Sequence, residues 1–170
     1  VKPSFKVGND GLRASGVKNK MSLSGEIETA DIEDGKLTEK LLAATQNNNT
    51  LKISWQHNDA AKTHRYTIDN IDRLKSVSNV DLSWDGKPMS MDVKGNESVA
   101  VPSAGDFKVL NVVAVNDAQQ YASVQFSDMI AVGQDLTGLI SISGQSDISF
   151  TINGSEVKVF GNGKLDGNFT

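Results

Sequence analysis

The sequence predicts an all-β fold of two consecutive antiparallel β-sandwiches, with one short helix in the first. Three observations predict this fold. Apolar residues alternate with polar ones over most of the chain, which places one face of a strand on a core and the other in water. Turn signals such as Asp85-Gly86 and Asn153-Gly154 separate these runs. The charge balance also changes along the chain, beside the small residues at positions 101–105.

The change in charge divides the chain into two regions. Residues 1–105 carry 14 basic and 14 acidic side chains, whereas residues 106–170 carry 3 and 7, so the net charge of −4 belongs to the second region. We therefore predict an irregular arm over residues 1–19, a first sandwich over residues 20–105 and a second over residues 106–170. The second region is shorter than the roughly 100 residues of a complete sandwich, which predicts that it is truncated. Both ends of the chain look cut, which indicates a piece of a longer polypeptide.

The arm and the strands of the first region follow from its local patterns. Gly8, Gly11 and Gly16 interrupt any period, which predicts an arm without regular structure. Beyond the arm, alternation predicts strands at Met21, Leu23 and Ile27; Leu51, Ile53, Trp55 and His57; Tyr66 and Ile68; Val80, Leu82 and Trp84; and Val99 and Val101.

One helix is expected in this first region. Leu37, Leu41 and Leu42 lie at helical spacing, and Asp34 is suited to be the N-cap. The pattern predicts a helix of two or three turns that bridges two strands.

The second region also alternates. The segment 107–115 is apolar on both faces, which predicts a strand with little solvent exposure. An Asn-Gly pair between alternating runs favours a tight hairpin, because both central residues must tolerate positive φ. The remaining strands are predicted at Ala122, Val124 and Phe126; at residues 139–142; and at Ile148, Phe150 and Ile152, which lead through Asn153-Gly154 to Val157, Val159 and Phe160.

Composition excludes several classes of function. The chain has no cysteine, so it has no disulfide, thiolate metal site or thiol nucleophile. No apolar run reaches the roughly 18 residues of a membrane helix. The acidic balance, without a cluster of basic residues, argues against nucleic-acid binding. The sequence contains no Gly-x-Ser-x-Gly elbow, and Gly161-Asn162-Gly163 is typical of a turn rather than a phosphate loop. We predict no catalytic, cofactor-binding or metal-binding residues and no cofactor.

The two histidines of the chain, His57 and His64, lie seven residues apart. If the loop between them closes a hairpin, they face each other, and Asp59 or Asp69 could complete a zinc or copper site. No third ligand lies at a defined spacing. We therefore favour the interpretation that the histidines form a cross-strand pair of polar aromatic residues on a half-buried face.

Two further clusters have a functional and a structural interpretation. The sugar-stacking platform that Trp55, Tyr66 and Trp84 could build competes with a place in the core, which we favour because both tryptophans are in phase with aliphatic residues. The acidic cluster before the helix is similar to a calcium loop but lacks the closing carboxylate, so it is better explained by the helix dipole. Its members are Asp31, Glu33, Asp34 and Gly35.

Over roughly residues 20–170, the sequence resembles the amino-terminal region of a bacterial alpha-2-macroglobulin of the Bacteroidetes type. Met129 departs from the pattern, which has proline after Phe-Ser-Asp. The stretches that carry the resemblance are Gly25-Glu26-Ile27-Glu28-Thr29 through Leu41-Leu42, Ile53-Ser54-Trp55-Gln56-His57, His64-Arg65-Tyr66-Thr67-Ile68, Leu82-Ser83-Trp84-Asp85-Gly86, Val101-Pro102, Gly105-Asp106-Phe107-Lys108-Val109-Leu110, Val124-Gln125-Phe126-Ser127-Asp128, Gln134-Asp135-Leu136-Thr137-Gly138-Leu139-Ile140 and Val157-Lys158-Val159-Phe160.

The resemblance implies serial macroglobulin-like domains, which are β-sandwiches of the immunoglobulin or fibronectin-III type, in a large periplasmic or envelope protein that traps proteases. Cleavage of a bait region then collapses the trap around the protease. Many members attack the protease with a Cys-x-x-Gln thioester, which a chain without cysteine does not contain. The resemblance implies non-catalytic domains whose partners are neighbouring domains and, through the full-length protein, proteases. It implies no nucleic acid, and a membrane only through an anchor outside this segment. The alternative is an immunoglobulin-like adhesion or carbohydrate-binding module.

Overall fold

The computed structural model describes residues 4–163 and residue 165, and it confirms an all-β fold with antiparallel sheets and one short helix. The chain divides into two compact units, Val1–Gly105 (unit 1) and Asp106–Thr170 (unit 2). Unit 1 ends at Gly105, whose φ of +86° favours glycine. No helix in the described part of the chain is both long and apolar enough to span a membrane. The strand-like pattern after Leu165 lies outside the described residues.

Within residues 4–105, unit 1 consists of two four-stranded antiparallel sheets. The front sheet has the order β1-β2-β6-β5, and the back sheet has the order β4-β3-β7-β8. The elements are β1 (Phe5–Ala14), β2 (Lys20–Thr29), α1 (Gly35–Thr38), β3 (Leu42–Gln46), β4 (Asn49–Thr50), β5 (Ile53–Asn58), β6 (Thr63–Asp72), β7 (Ser78–Asp85) and β8 (Lys94–Val101), with 3-10 turns at Glu39–Leu41, Asp59–Ala61 and Lys87–Met89.

The core of unit 1 is buried by both sheets, as alternation predicts for half-buried strands. Gln46 of β3 joins the two sheets directly: its Nε2 donates to the Asp72 carbonyl of β6 at 2.7 Å, and its Oε1 accepts from the Asp72 amide at 3.0 Å. The buried apolar residues of the front sheet include Leu12, Met21, Leu23, Ile27, Tyr66, Ile68 and Ile71, and those of the back sheet include Leu42, Ala44, Val80, Leu82 and Val101.

The predicted irregular arm over residues 1–19 is wrong for most of its length. Strand β1 occupies Phe5–Ala14 and pairs with β2 from Phe5 opposite Thr29 to Ala14 opposite Met21. The register shifts between Asn9 and Leu12, and Gly11 within this bulge has φ +86°. A bulge inserts an extra residue and breaks the period of two without ending the strand. The glycines that hid the alternation are therefore what allows the bulge.

The predicted helix exists but is shorter than expected. Asp34 is its N-cap, as predicted, and its Oδ1 accepts from the Lys36 amide at 2.8 Å. The helix ends at Thr38, a 3-10 turn follows, and Leu42 already begins β3 opposite Trp84. Sheet pairing and burial of Leu42 outweigh the helical spacing of the leucines, since propensity is only a weak prior.

Within residues 106–163 and 165, unit 2 contains one four-stranded antiparallel sheet of order β11-β12-β10-β9. Its strands are β9 (Val109–Val115), β10 (Tyr121–Phe126), β11 (Ser149–Asn153) and β12 (Glu156–Phe160). One face of the sheet packs against apolar residues of the long connection between β10 and β11, among them Ile130, Leu136, Ile140 and Ile142. The predicted alternation of β10 is confirmed, because Ala122, Val124 and Phe126 are all buried.

Three details of unit 2 differ from the predictions. The segment 107–115 is not shielded from solvent, because β9 is an edge strand that leaves Val109 and Val113 exposed. Residues 139–142 form no strand; Ile140 and Ile142 pack on the sheet from a loop, while Leu139 is exposed. The hairpin at Asn153-Gly154 is confirmed, but its two loop residues are Gly154 and Ser155, so positive φ is needed only at Gly154.

Candidate functional site

The two histidines lie at the end of the β5–β6 hairpin, where a 3-10 turn closes the loop between the strands. Asn58 caps this turn by accepting from the Ala61 amide at 3.2 Å, and Lys62 ends it with φ +59°. The register that results places His57 directly opposite His64. The cross-strand pair predicted from the sequence is therefore confirmed.

The paired imidazoles form a hydrogen-bonded chain that ends at a carboxylate. The Nδ1 atoms of His57 and His64 are 2.9 Å apart, and the rings meet edge to face with centroids 5.1 Å apart. The Nε2 of His57 is 3.1 Å from Oε1 of Glu39 in the 3-10 turn after α1. His64 is fully buried, and its Nε2 has no hydrogen-bond partner among the described residues.

Helix α1 lies directly against this pair. A Cβ atom added at Gly35 would lie 2.6 Å from Cγ of His57, so only glycine lets the helix backbone approach the ring this closely. On the hairpin, the indole of Trp55 stacks on His57 with centroids 5.9 Å apart and an interplanar angle of 13°. The imidazole of His57 is thus held between an indole, a helix backbone and a second histidine.

Burial decides the charge of the inner histidine. Desolvation lowers the pKa of His64, and the neighbouring His57 lowers it further. The carboxylates of Asp59, Glu26 and Glu33 act in the opposite direction but do not reverse the shift. His64 is therefore neutral at pH 7. The pKa of the neighbouring Tyr66 phenol is raised, mainly by burial.

The geometry gives little support to a metal at the histidines. Oδ1 of Asp59 is 3.9 Å from Nδ1 of His64, whereas Asp69 lies further along β6 with an exposed side chain. Zinc sites in proteins take at least three protein ligands around one point. The described residues contain no group of three or more histidine, aspartate or glutamate side chains arranged to hold an ion.

The acidic cluster before α1 has structural partners. Asp34 caps the helix, and Asp31 lies 3.7 Å from the ammonium of Lys62 through its Oδ1. A charged side chain near the start of a helix compensates its free amides. These contacts agree with the structural interpretation of the cluster rather than with a calcium loop.

The aromatic residues do not form a shared platform. Tyr66 is fully buried, and the partly exposed Trp55 and Trp84 lie on different sheets. Trp84 lies opposite Leu42 and Gly95 in the register, so its indole shares the inner face with Leu42. A Cβ atom at Gly95 would lie 2.5 Å from the indole, which shows that the ring lies over this glycine.

A groove of about 600 Å³ crosses the same end of the back sheet. Side chains of Ala43, Ser83 and Asn96 line it, and the register places them on the opposite face from the Trp84 indole. Stacking on a sugar ring needs an accessible aromatic face. The groove therefore has the size for a ligand but not the aromatic wall that the platform hypothesis requires.

Two residues at the histidine pair were not identified from the sequence. Glu39 is 18 positions from His57, and Gly35 is 22 positions from it, so no local pattern connects them. No protein-family model matches this chain, and no curated protein is similar enough to it to count as a match.

Proposed function

We propose that the chain forms non-catalytic structural domains of a bacterial alpha-2-macroglobulin-like protease inhibitor, in which it is part of the frame of the trap. The observation that carries the proposal is the arrangement of the chain as two compact, all-β units in series. This arrangement agrees with the serial domains implied by the motifs quoted above. In the trap, the proposed role of the frame is mechanical.

The surface of unit 2 supports a role beside other domains. Phe107, Val109 and Val113 are 55%, 52% and 47% exposed, and they cluster at or next to the edge strand β9. Exposed apolar residues that lie together mark surfaces that contact other proteins or domains. In the proposed inhibitor, this edge faces a neighbouring macroglobulin-like domain of the same polypeptide, and the whole protein meets proteases in the periplasm or at the cell envelope.

The alternative, an adhesion or carbohydrate-binding module, has weaker support. It required tryptophans that offer their faces together, and Trp55 and Trp84 lie on different sheets. Trp55 is instead stacked on His57, and Trp84 covers Gly95. Both indoles therefore have packing roles within unit 1.

A protease assay tests the proposed role of this chain. The purified chain is added in molar excess to trypsin, and the hydrolysis of a protein substrate and of a small peptide substrate is measured. We expect both rates to be unchanged, because a frame domain carries neither bait nor thioester. Equimolar bovine serum albumin serves as the control for competing cleavage. Inhibition beyond that control would contradict a purely structural role.

A further inference from the structure

We propose that the chain Glu39–His57–His64 is an acid-operated latch: protonation of both imidazoles breaks the contact between their Nδ1 atoms and releases residues 35–41 from the front sheet. Residues 35–41 are α1 and the 3-10 turn that follows it, and we call them the latch segment. The proposal concerns a conformational device within unit 1 and does not depend on the protease-trap function.

Counting protons on the four ring nitrogens shows why the contact cannot survive full protonation. In the neutral pair, Nε2–H of His57 donates to Glu39, and Nδ1 of His57 accepts Nδ1–H of His64. One added proton still leaves one Nδ1 as an acceptor, so the contact persists. With a second added proton both Nδ1 atoms carry hydrogen, and two donors would face each other across 2.9 Å.

The latch segment must respond when the rings separate. The ring of His57 contacts the backbone of Gly35 on one side and the indole of Trp55 on another. His64 is fully buried and has no room to withdraw. Separation therefore displaces the ring of His57 toward Gly35 and breaks its bond to Glu39. Because α1 is a single turn, it has few other backbone bonds to hold it.

The groups around the pair set the pH at which this happens. The charged neighbours of His64 are His57 on β5, Asp59 on the hairpin turn, Glu26 on β2 and Glu33 before α1. The carboxylates favour protonation of His64, while burial and His57 oppose it and lower its pKa overall. An unfolded or released histidine has a pKa of about 6.5 and binds protons more readily. The closed latch is therefore stable above about pH 6.5 and loses stability as the pH falls below it.

Hydrogen exchange tests the latch in the whole chain. We measure protection of latch-segment amides at about pH 7.5 and about pH 5.5, on either side of the usual histidine pKa, after correction for intrinsic exchange rates. We expect on the order of a tenfold loss of protection in the acid sample, the change that one proton produces over one pH unit. Amides of β7, which is remote in register from the pair, serve as the internal reference. An unchanged latch segment would overturn the proposal.

Two variants give the test a matched comparison. Glu39→Gln removes the carboxylate that accepts from His57, and we expect its latch segment to open at a higher pH than in the wild type. Glu28→Gln makes the same change of charge at an exposed position on β2, and we expect wild-type behaviour. Identical pH dependence in both variants would overturn the proposal. Because both positions are exposed, neither change removes a core contact.

Discussion

Replacement of Tyr66 by alanine is expected to lower the free energy of unfolding by about 3–5 kcal/mol, the usual cost of deleting a buried aromatic side chain. Tyr66 is fully buried on the inner face of the front sheet. Its ring lies 5.9 Å from that of Trp55, and its hydroxyl donates to the Gly8 carbonyl of β1 at 2.9 Å. The substitution removes a packing contact, a hydrogen bond across the sheet and the filling of the space above Gly25 at once.

Urea unfolding followed by tryptophan fluorescence measures this effect in unit 1, because both tryptophans of the chain lie there. Tyr66→Phe is the matched control: it keeps the ring and removes only the hydroxyl. We expect this control to cost about 1 kcal/mol, the net contribution of one hydrogen bond. Equal losses in the two variants would show that packing of the ring contributes little, contrary to the core described above.

Replacement of Phe126 by alanine is expected to destabilise unit 2 by a similar amount, about 3–5 kcal/mol. Phe126 is 7% exposed at the end of β10 and belongs to the core of the unit with Val124 and Leu136. Its ring stacks on that of Phe107 at 5.1 Å. Unit 2 contains no tryptophan, so the measurement is hydrogen exchange of the β10 and β12 amides under native conditions.

Phe107→Ala is the control for this second prediction. Phe107 is the other member of the stacked pair, but it is 55% exposed. It therefore loses much less buried area when truncated, and we expect a cost of about 1 kcal/mol or less. If Phe107→Ala exposes the β10 and β12 amides as much as Phe126→Ala does, the core of unit 2 does not lie where the structure places it.

Alternation was a reliable guide wherever one face of a strand is buried. Met21, Leu23 and Ile27 of β2 are all fully buried, as their spacing predicts. The same signal failed where the chain departs from a regular strand or from a central position. Gly11 hides β1 behind a bulge, and the apolar run of β9 does not tell whether the strand lies at the centre or the edge of its sheet. Edge position depends on pairing, which is not a local property.

The candidate site was predictable only in part for the same reason. A seven-residue spacing across a polar loop was enough to predict that His57 and His64 pair. The approach of Gly35 and Glu39 to His57 depends on how the connection from β2 to β3 folds back over the front sheet. Residues that meet through tertiary packing at this distance along the chain leave no periodic signal.

The frame of a protease trap must move with the trap when the bait is cut. The measurement that tests this role most directly is the radius of gyration, by small-angle X-ray scattering, of the full-length inhibitor that we propose contains this chain, before and after brief protease treatment. We predict a decrease once the bait region has been cleaved, because the domains then close around the protease. An unchanged radius of gyration in a sample whose cleavage is verified by gel electrophoresis would contradict the account.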